Sequence, residues 1–282
     1  MIWAYINNKF ILKEEVSISP FDRGFLFGDS IYEVIPVYNN IPFLLSEHLE
    51  RLEENLKKVG IEGRLPSYEL TEILHQLIER NKLKEQVLYI QISRGVDPIR
   101  SHLPKTPNNS TLFIYSSELD LNPYRDKAYE RGLNVRTTQD IRWDRSDIKT
   151  TSLMANVLAI SGAHSENFHE VLMHKDGLVT EAAKGSLLFV IGDKVVIPML
   201  SNKVLNSITR NFVIGLLKKL SLKIEERDIY LEEIFDAREV WYLSSTKEIQ
   251  PINSINNVKV NYDETNLLWS KVLDKYVTHL GV

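Results

Sequence analysis

The sequence predicts an α+β protein of two domains, with strands and helices mixed and no regular strand–helix alternation. Three observations carry this. Short β-rich runs separated by Asn, Asp and Gly turns fill residues 1–45 and 170–197. Leucine-rich stripes at helical spacing occupy two stretches between residues 45 and 78. Glu118-Leu119-Asp120-Leu121-Asn122-Pro123 then breaks the texture as a linker. Without strand–helix alternation, a doubly wound parallel sheet is not expected. The expected domains are 1–118 and 124–282, joined by a linker at 119–123.

In chain order, Trp3 to Ile6, Ile11-Leu12, Ile31 to Tyr38 and Phe43 to Leu45 read as strands, with Asn7-Asn8-Lys9 and Asn39-Asn40 as hairpin turns. Phe21 to Ser30, where two glycines bracket Phe25-Leu26-Phe27, reads as a buried turn. Leu45, Leu49, Leu52, Leu56 and Val59 predict a helix capped by Ser46 and stopped by Gly60, with Arg51 off its apolar stripe. A second helix follows Pro66-Ser67. Strands at Val87–Arg94 and Thr111–Tyr115 flank a loop, Gly95 to Pro107, whose three prolines and length suggest function. Beyond the linker, Leu133–Thr137 reads as a strand. A charged stretch, Asp140 to Lys149, leads into a helix expected from about Ser152 to Ser165, amphipathic through Leu153, Val157, Leu158 and Ile160. Hairpins follow around Lys175-Asp176-Gly177 and Gly192-Asp193. Then come a helix at 207–220, strands near 222–226 and 239–243 with a short helix between them, and a closing helix near 264–279.

The totals exclude several classes. With 282 residues, 43% hydrophobic and 26% charged, the chain is globular and long enough for two cores. A formal charge of −4 leaves no electrostatic footprint for nucleic acid or an anionic membrane. The absence of cysteine removes disulfides, thiolate metal sites and a cysteine nucleophile, and suits a reducing cytoplasm. No metal site is expected. No signal peptide is indicated, and no apolar run approaches the roughly 20 residues of a spanning helix. A cytoplasmic protein is expected.

Four features point toward chemistry, each with an ordinary structural alternative. Lys149, fenced by Arg142, Asp144, Arg145 and Asp147, is either a solvated loop lysine or an amine whose pKa the neighbouring arginines lower. Glu181 in Val179-Thr180-Glu181 is either an edge-strand glutamate or the partner of a pyridine nitrogen. The helix start Ser207-Ile208-Thr209 offers N-capping and a phosphate site at once. Ser244-Ser245-Thr246 at a strand end is a second hydroxyl cluster. Together they describe a site for an aldehyde, a ring nitrogen and a phosphate, the three handles of pyridoxal 5′-phosphate.

On these residues the chain resembles the class IV, fold-type IV pyridoxal-phosphate aminotransferases, and within them the bacterial D-amino-acid aminotransferases. The matching pieces are Asp22-Arg23-Gly24-Phe25-Leu26-Phe27-Gly28-Asp29-Ser30-Ile31-Tyr32-Glu33-Val34, His48-Leu49-Glu50-Arg51-Leu52, Gln91-Ile92-Ser93-Arg94-Gly95, Asp140-Ile141-Arg142-Trp143 with Asp147-Ile148-Lys149, Val179-Thr180-Glu181, Ile208-Thr209-Arg210 and Ser244 to Ile249. The resemblance implies an active site at the domain interface, with the larger C-terminal domain carrying Lys149 as the Schiff-base lysine and proton shuttle. It implies Glu181 at the pyridine nitrogen, and Arg51, Ile208, Thr209, Ser245 and Thr246 around the phosphate. Tyr32, Arg100 and His102 match the trap for the substrate α-carboxylate, the last two reaching a neighbouring subunit, so a homodimer is implied. The expected reaction is transamination between a D-amino acid and a 2-oxo acid. The alternatives are a branched-chain L-amino-acid aminotransferase, an aminodeoxychorismate lyase, or a protein that only stores the cofactor. The chain departs from the family pattern at Ala182-Ala183-Lys184, where Lys184 is either solvated or an added anion-binding charge.

Overall fold

The computed structural model describes residues 1–62, 66–105 and 110–281. Thr106 and Pro107, at the end of the expected 95–107 loop, and Val282, the last residue of the expected second domain, lie outside the described residues. The chain forms two compact units, Met1–Asp120 with Ile148–Ser152, and Leu121–Asp147 with Leu153–Val282.

The first unit contains β1 (Trp3–Ile6), β2 (Lys9–Leu12), α1 (Arg23–Phe27), β3 (Ser30–Tyr38), β4 (Ile41–Pro42), α2 (Leu45–Val59), α3 (Ser67–Asn81), β5 (Gln86–Ser93) and β6 (Thr111–Glu118). Its strands form a six-stranded antiparallel sheet in the order β2-β1-β6-β5-β3-β4. Alternation decides which face is buried. Leu88, Ile90 and Ile92 of β5 enter the core with Ile31 and Ile35 of β3, against the leucines of α2 and α3. Tyr32, Tyr89 and Phe113 fall on the opposite parity, and Tyr32 stacks on Tyr89 at 5.8 Å.

Several local expectations change. Asn39 and Asn40, at φ 48° and 64°, return the chain so tightly that Ile41-Pro42 pairs with β3, and Phe43–Leu45 is not a strand. Ser46 is not the cap of α2. Leu44, at φ 55°, takes that position, and Ser46 donates from the first turn to Glu47 at 3.0 Å. The aromatic triplet is a short helix, α1, because the Asp22 carboxylate accepts from Gly24 N at 2.8 Å; it leaves Phe25 exposed.

The second unit contains β7 (Leu133–Gln139), α4 (Met154–Ser165), β8 (Glu170–Lys175), β9 (Leu178–Ala182), β10 (Ser186–Ile191), β11 (Lys194–Pro198), α5 (Ile208–Lys219), β12 (Lys223–Arg227), β13 (Ala237–Ser244), β14 (Glu248–Ile255), β15 (Val258–Lys259) and α6 (Leu268–Leu280). They build a mixed nine-stranded sheet, β12-β11-β10-β13-β14-β7-β8-β9, with β15 on β14. The expected short helix near 231–235 is a 3₁₀ helix, Leu231–Asp236. Helix α4 starts at Met154 and only part of the expected apolar face turns inward: Ile160 packs with Ala159 and Ala163 on Phe168, Val171 and Met173, whereas Met154, Val157 and Leu158 are exposed.

The lysine segment belongs elsewhere than its sequence neighbours suggest. Ile148–Ser152 groups with the first unit, whereas the resemblance placed Lys149 in the C-terminal domain. The cause is backbone pairing. Thr150 bridges Ile31, Tyr32 N donates to Lys149 O at 3.1 Å, and Ile148 is buried in the first unit's core. Lys149 therefore sits in an extended segment rather than at the mouth of a helix.

One glycine in the second unit is fixed by close approach. A Cβ on Gly185, between β9 and β10, would run into the carbonyl of Leu243 and the ring of Tyr242. Gly185→Ala is expected to destabilise the second unit by about 1–3 kcal/mol, through the backbone shift that overpacking forces. Urea unfolding followed by circular dichroism checks this, and an unchanged midpoint would contradict it.

Candidate active site

Lys149 is set by contacts at three points in the first unit. Its carbonyl pairs with β3 as above, its N–H donates to Asn55 Oδ1 at 3.1 Å, and its Nζ lies 4.2 Å from the centroid of the Tyr32 ring. Asn55 comes from α2, where its side-chain amide also donates to Arg51 O at 2.7 Å. His48, Arg51 and Asn55 recur at i, i+3 and i+7, so α2 carries a buried polar strip beside its leucine stripe. Glu33 is what makes that strip tolerable. Its carboxylate, inside the first unit's core face, receives Arg51 Nε at 2.7 Å, a second Arg51 nitrogen at 2.8 Å and His48 Nδ1 at 2.8 Å.

Burial alone would raise the Glu33 pKa. The charge and hydrogen bonds of Arg51, helped by His48, overcome this and hold the carboxyl far below the usual range. His48 is pushed down, mainly by burial, so it is a neutral imidazole whose Nδ1–H donates to Glu33. Arg51 thus lies beside the apolar stripe and is locked by Glu33. Nothing in the residue pattern of α2 alone announces Glu33 as its partner. The 48–51–55 spacing is the signal that could have found the strip.

The Arg100 loop forms a separate group in the same unit. Arg100 Cζ stands 4.9 Å from the centroid of Phe27, and the His102 ring lies 5.5 Å from the same ring, so one phenyl carries both side chains. Both are exposed. Among the described residues, neither makes a hydrogen bond, ion pair or ring contact with Tyr32 or Lys149. Tyr32, the third residue of the expected trap, groups with Lys149 and Tyr89.

In the second unit, Glu181 is buried at the end of β9 and hydrogen-bonded by Arg142. Arg142 is also gripped by Asp140, with Nε to Oδ1 at 2.9 Å and a terminal nitrogen to Oδ2 at 2.7 Å. Thr180 donates to Asp140 at 2.8 Å. Burial raises the Glu181 pKa, and the Arg142 charge only partly offsets this. Asp140 goes the other way: burial is overcome by the Arg142 hydrogen bonds and charge, and its pKa falls. Arg142 and Arg145 were expected to supply a cationic field to Lys149. Arg142 is instead neutralised by Asp140 and Glu181, and Arg145 pairs with Asp147 at 3.0 Å.

The two hydroxyl features converge. Ser207 Oγ accepts from Arg210 N at 3.2 Å as the N-cap of α5, which leaves the N–H groups of Ile208 and Thr209 without an intrahelical acceptor. Thr209 Oγ1 lies 3.5 Å from Ser245 Oγ, in the turn after β13 that also holds Thr246. Two hydroxyls and the positive end of a 12-residue helix suit a phosphate. Lys184 is exposed, with Nζ 3.8 Å from the buried carboxylate of Glu170. Among the described residues, no group of His, Cys, Asp and Glu is arranged to hold a metal ion, and no helix is long and apolar enough to cross a membrane.

Residues 30–255 match the amino-transferase class IV family. The chain belongs to the class IV aminotransferases. Pyridoxal 5′-phosphate is the cofactor of this class, and each unit holds chemistry that suits it: the first an amine of the kind an aldehyde takes, the second a buried carboxylate of the kind a ring nitrogen takes and a hydroxyl-lined helix terminus of the kind a phosphate takes. The aminotransferase is 32% identical over 257 residues to the D-alanine aminotransferase of Listeria monocytogenes, covering 90% of this chain and 88% of that protein. It is 30% identical over 280 residues to the D-alanine aminotransferase of Staphylococcus epidermidis, covering 98% of each. Among solved structures it is similar in fold to the branched-chain aminotransferase of Thermoproteus uzoniensis with norvaline, at a TM-score of 0.89 and 19% identity, covering 99% of this chain and 94% of that one.

Proposed function

We propose that this aminotransferase exchanges an amino group between a D-amino acid and a 2-oxo acid, and that it works as a homodimer in the cytoplasm. The observation that carries the D-reading is near-full-length similarity, at 30–32% identity, to proteins named as D-alanine aminotransferases. The branched-chain structures stand at 19–22% identity and speak to fold alone.

In this reading Lys149 Nζ is the base that takes the α-proton from the substrate and returns it during each half-reaction. Its backbone, pinned by Tyr32 and Asn55, keeps that amine at one height above the Tyr32 ring. Glu181 keeps a proton at the ring nitrogen, and Arg142 with Asp140 keeps Glu181 from turning away. Arg51, Ile208, Thr209, Ser245 and Thr246 hold the phosphate. Bound by these groups, pyridoxal 5′-phosphate supplies an electron sink for the charge that develops at the substrate α-carbon. Tyr32, Arg100 and His102 orient the substrate carboxylate, for which a fork of charged donors is apt. The grouping of Arg100 and His102 on Phe27, apart from Tyr32 and Lys149, supports the homodimer reading, in which a second copy would receive them. The exposed Met154, Val157 and Leu158 of α4 are also consistent with burial by another copy.

The test is single-turnover conversion of the bound cofactor, followed by absorbance, with D-alanine and L-alanine offered separately. D-alanine is expected to convert it fully and L-alanine at a rate lower by about two orders of magnitude or more, the discrimination that roughly 3 kcal/mol gives. Conversion by L-alanine alone would sink the D-assignment.

A further inference from the structure

We infer that Arg23 is a positioning residue for the carboxylate trap: it holds the backbone on which Arg100 and His102 stand. The inference rests on the proposed role of those two side chains and goes beyond it to what aims them. Their own side chains are exposed, and an exposed loop bearing two freely turning donors would bind a carboxylate poorly. Here the loop is tied from below. Arg23 is 5% exposed. One of its terminal nitrogens donates to Ser101 O at 2.6 Å, and the other to His102 O at 3.0 Å. The two carbonyls on either side of the His102 α-carbon are therefore fixed by one rigid guanidinium plane.

The remaining contacts of Arg23 fix the plane itself. Nε donates to Asp29 at 2.8 Å, the nitrogen that reaches Ser101 also reaches Asp97 at 3.1 Å, and the guanidinium carbon lies 4.9 Å from the Phe27 ring centroid. Asp97 in turn accepts the N–H of Lys105 at 3.2 Å, closing the far end of the described loop. Phe27 is then a shared platform: the ring that Arg23 packs on is the one that carries Arg100 and His102. Arg94 donates to both oxygens of Asp29, sharing Oδ2 with Arg23, and also donates to the carbonyls of Val59 and Gly60. The loop backbone is thereby tied to the end of α2. Carbonyls held by an enclosed cation, with that cation fixed by two carboxylates, keep a binding loop in one shape before the substrate arrives.

The experiment compares holoenzymes of Arg23→Gln, Arg23→Lys and Arg100→Ala with the parent. It reads kcat and KM for D-alanine with 2-oxoglutarate as acceptor, and the dissociation constant of propionate, a carboxylate with no amine to react, from the absorbance of the bound cofactor. Removing an interaction that acts equally on bound substrate and transition state raises KM and leaves kcat. Arg23→Gln is therefore expected to raise KM and the propionate constant about tenfold with kcat within about twofold, the pattern of lost uniform binding. A folded Arg23→Gln with unchanged KM and propionate binding overturns the inference, as does a loss confined to kcat. If Arg100→Ala raises KM while Arg23→Gln does not, the trap stands and Arg23 is not its support. If neither moves KM, the trap itself is refuted, and the inference with it. Should Arg23→Gln fail to fold, because Asp29 and Asp97 lose their buried partner, Arg23→Lys decides the matter: it keeps a cation for the two carboxylates but has no planar fork to hold both the Ser101 and His102 carbonyls, so a raised KM supports the inference and an unchanged KM overturns it.

Discussion

Lys149→Ala is expected to lower transamination by roughly 10²- to 10⁴-fold through the lost proton transfer alone, with a nearly unchanged fold. The reasoning is geometric. The lysine amine is not an anchor of the first unit, because Ile148 fills the core and the Lys149 backbone supplies the hydrogen bonds to Tyr32 and Asn55. Alanine keeps all of these and removes only the side chain over the Tyr32 ring, a cation–π contact worth about 0.5–2 kcal/mol. Activity should therefore collapse while the unfolding midpoint moves little by comparison. Steady-state kinetics and urea unfolding on the same preparation separate the two. Borohydride reduction of the parent holoenzyme with peptide mapping gives an independent check, with a pyridoxyl adduct expected on Lys149. Activity within tenfold of the parent would remove Lys149 from its proposed role.

The second large effect is on stability. Glu33→Gln should cost about 3–5 kcal/mol, because it leaves the enclosed Arg51 guanidinium without its carboxylate. The glutamine carbonyl can accept one of the Arg51 bonds, but its NH₂ faces donors where Glu33 Oε2 met both Arg51 and His48. The pH dependence adds a signature. Glu33 titrates far below its ordinary value near 4.5, so its contribution is fully present above that pH. It is lost as the pH falls toward the depressed folded value, since the unfolded chain then binds the proton the folded one refuses. The parent should lose stability steeply below pH 4.5 and Glu33→Gln should lose less. Parallel pH profiles of the parent and the variant would refute Glu33 as the ionised partner of Arg51.

Local rules made much of the fold legible. The leucine stripe of α2, the Asn7-Asn8 and Asp176-Gly177 turns with their positive φ, and the Ser207 cap of α5 all lie where short-range chemistry puts them. What escaped depends on partners distant in sequence. The charges of 140–147 read as a field around Lys149, yet Arg142 spends its donors on Asp140 and Glu181, a pairing set by the neighbourhood of β7, β8 and β9. Likewise, nothing near Asn55 shows that its carbonyl oxygen will meet residue 149, 94 positions later. The apolar residues at 153–160 suggested an inward helix face, and only the fold reveals that Val157 and Leu158 point out.

The detour of Ile148–Ser152 into the first unit has a consequence for how the protein is made. A ribosome adding about 5–20 residues per second releases the whole of Met1–Asp120 before the strip that completes it has been synthesised. Until then Ile31 and Tyr32 lack their backbone partners at residues 149 and 150, and the first unit's core lacks Ile148. A nascent chain halted before residue 148 should therefore hold its first unit less firmly against proteolysis than one extended past residue 152. The reactive amine arrives with the last piece of the first unit to be supplied, so a truncated product is left without it.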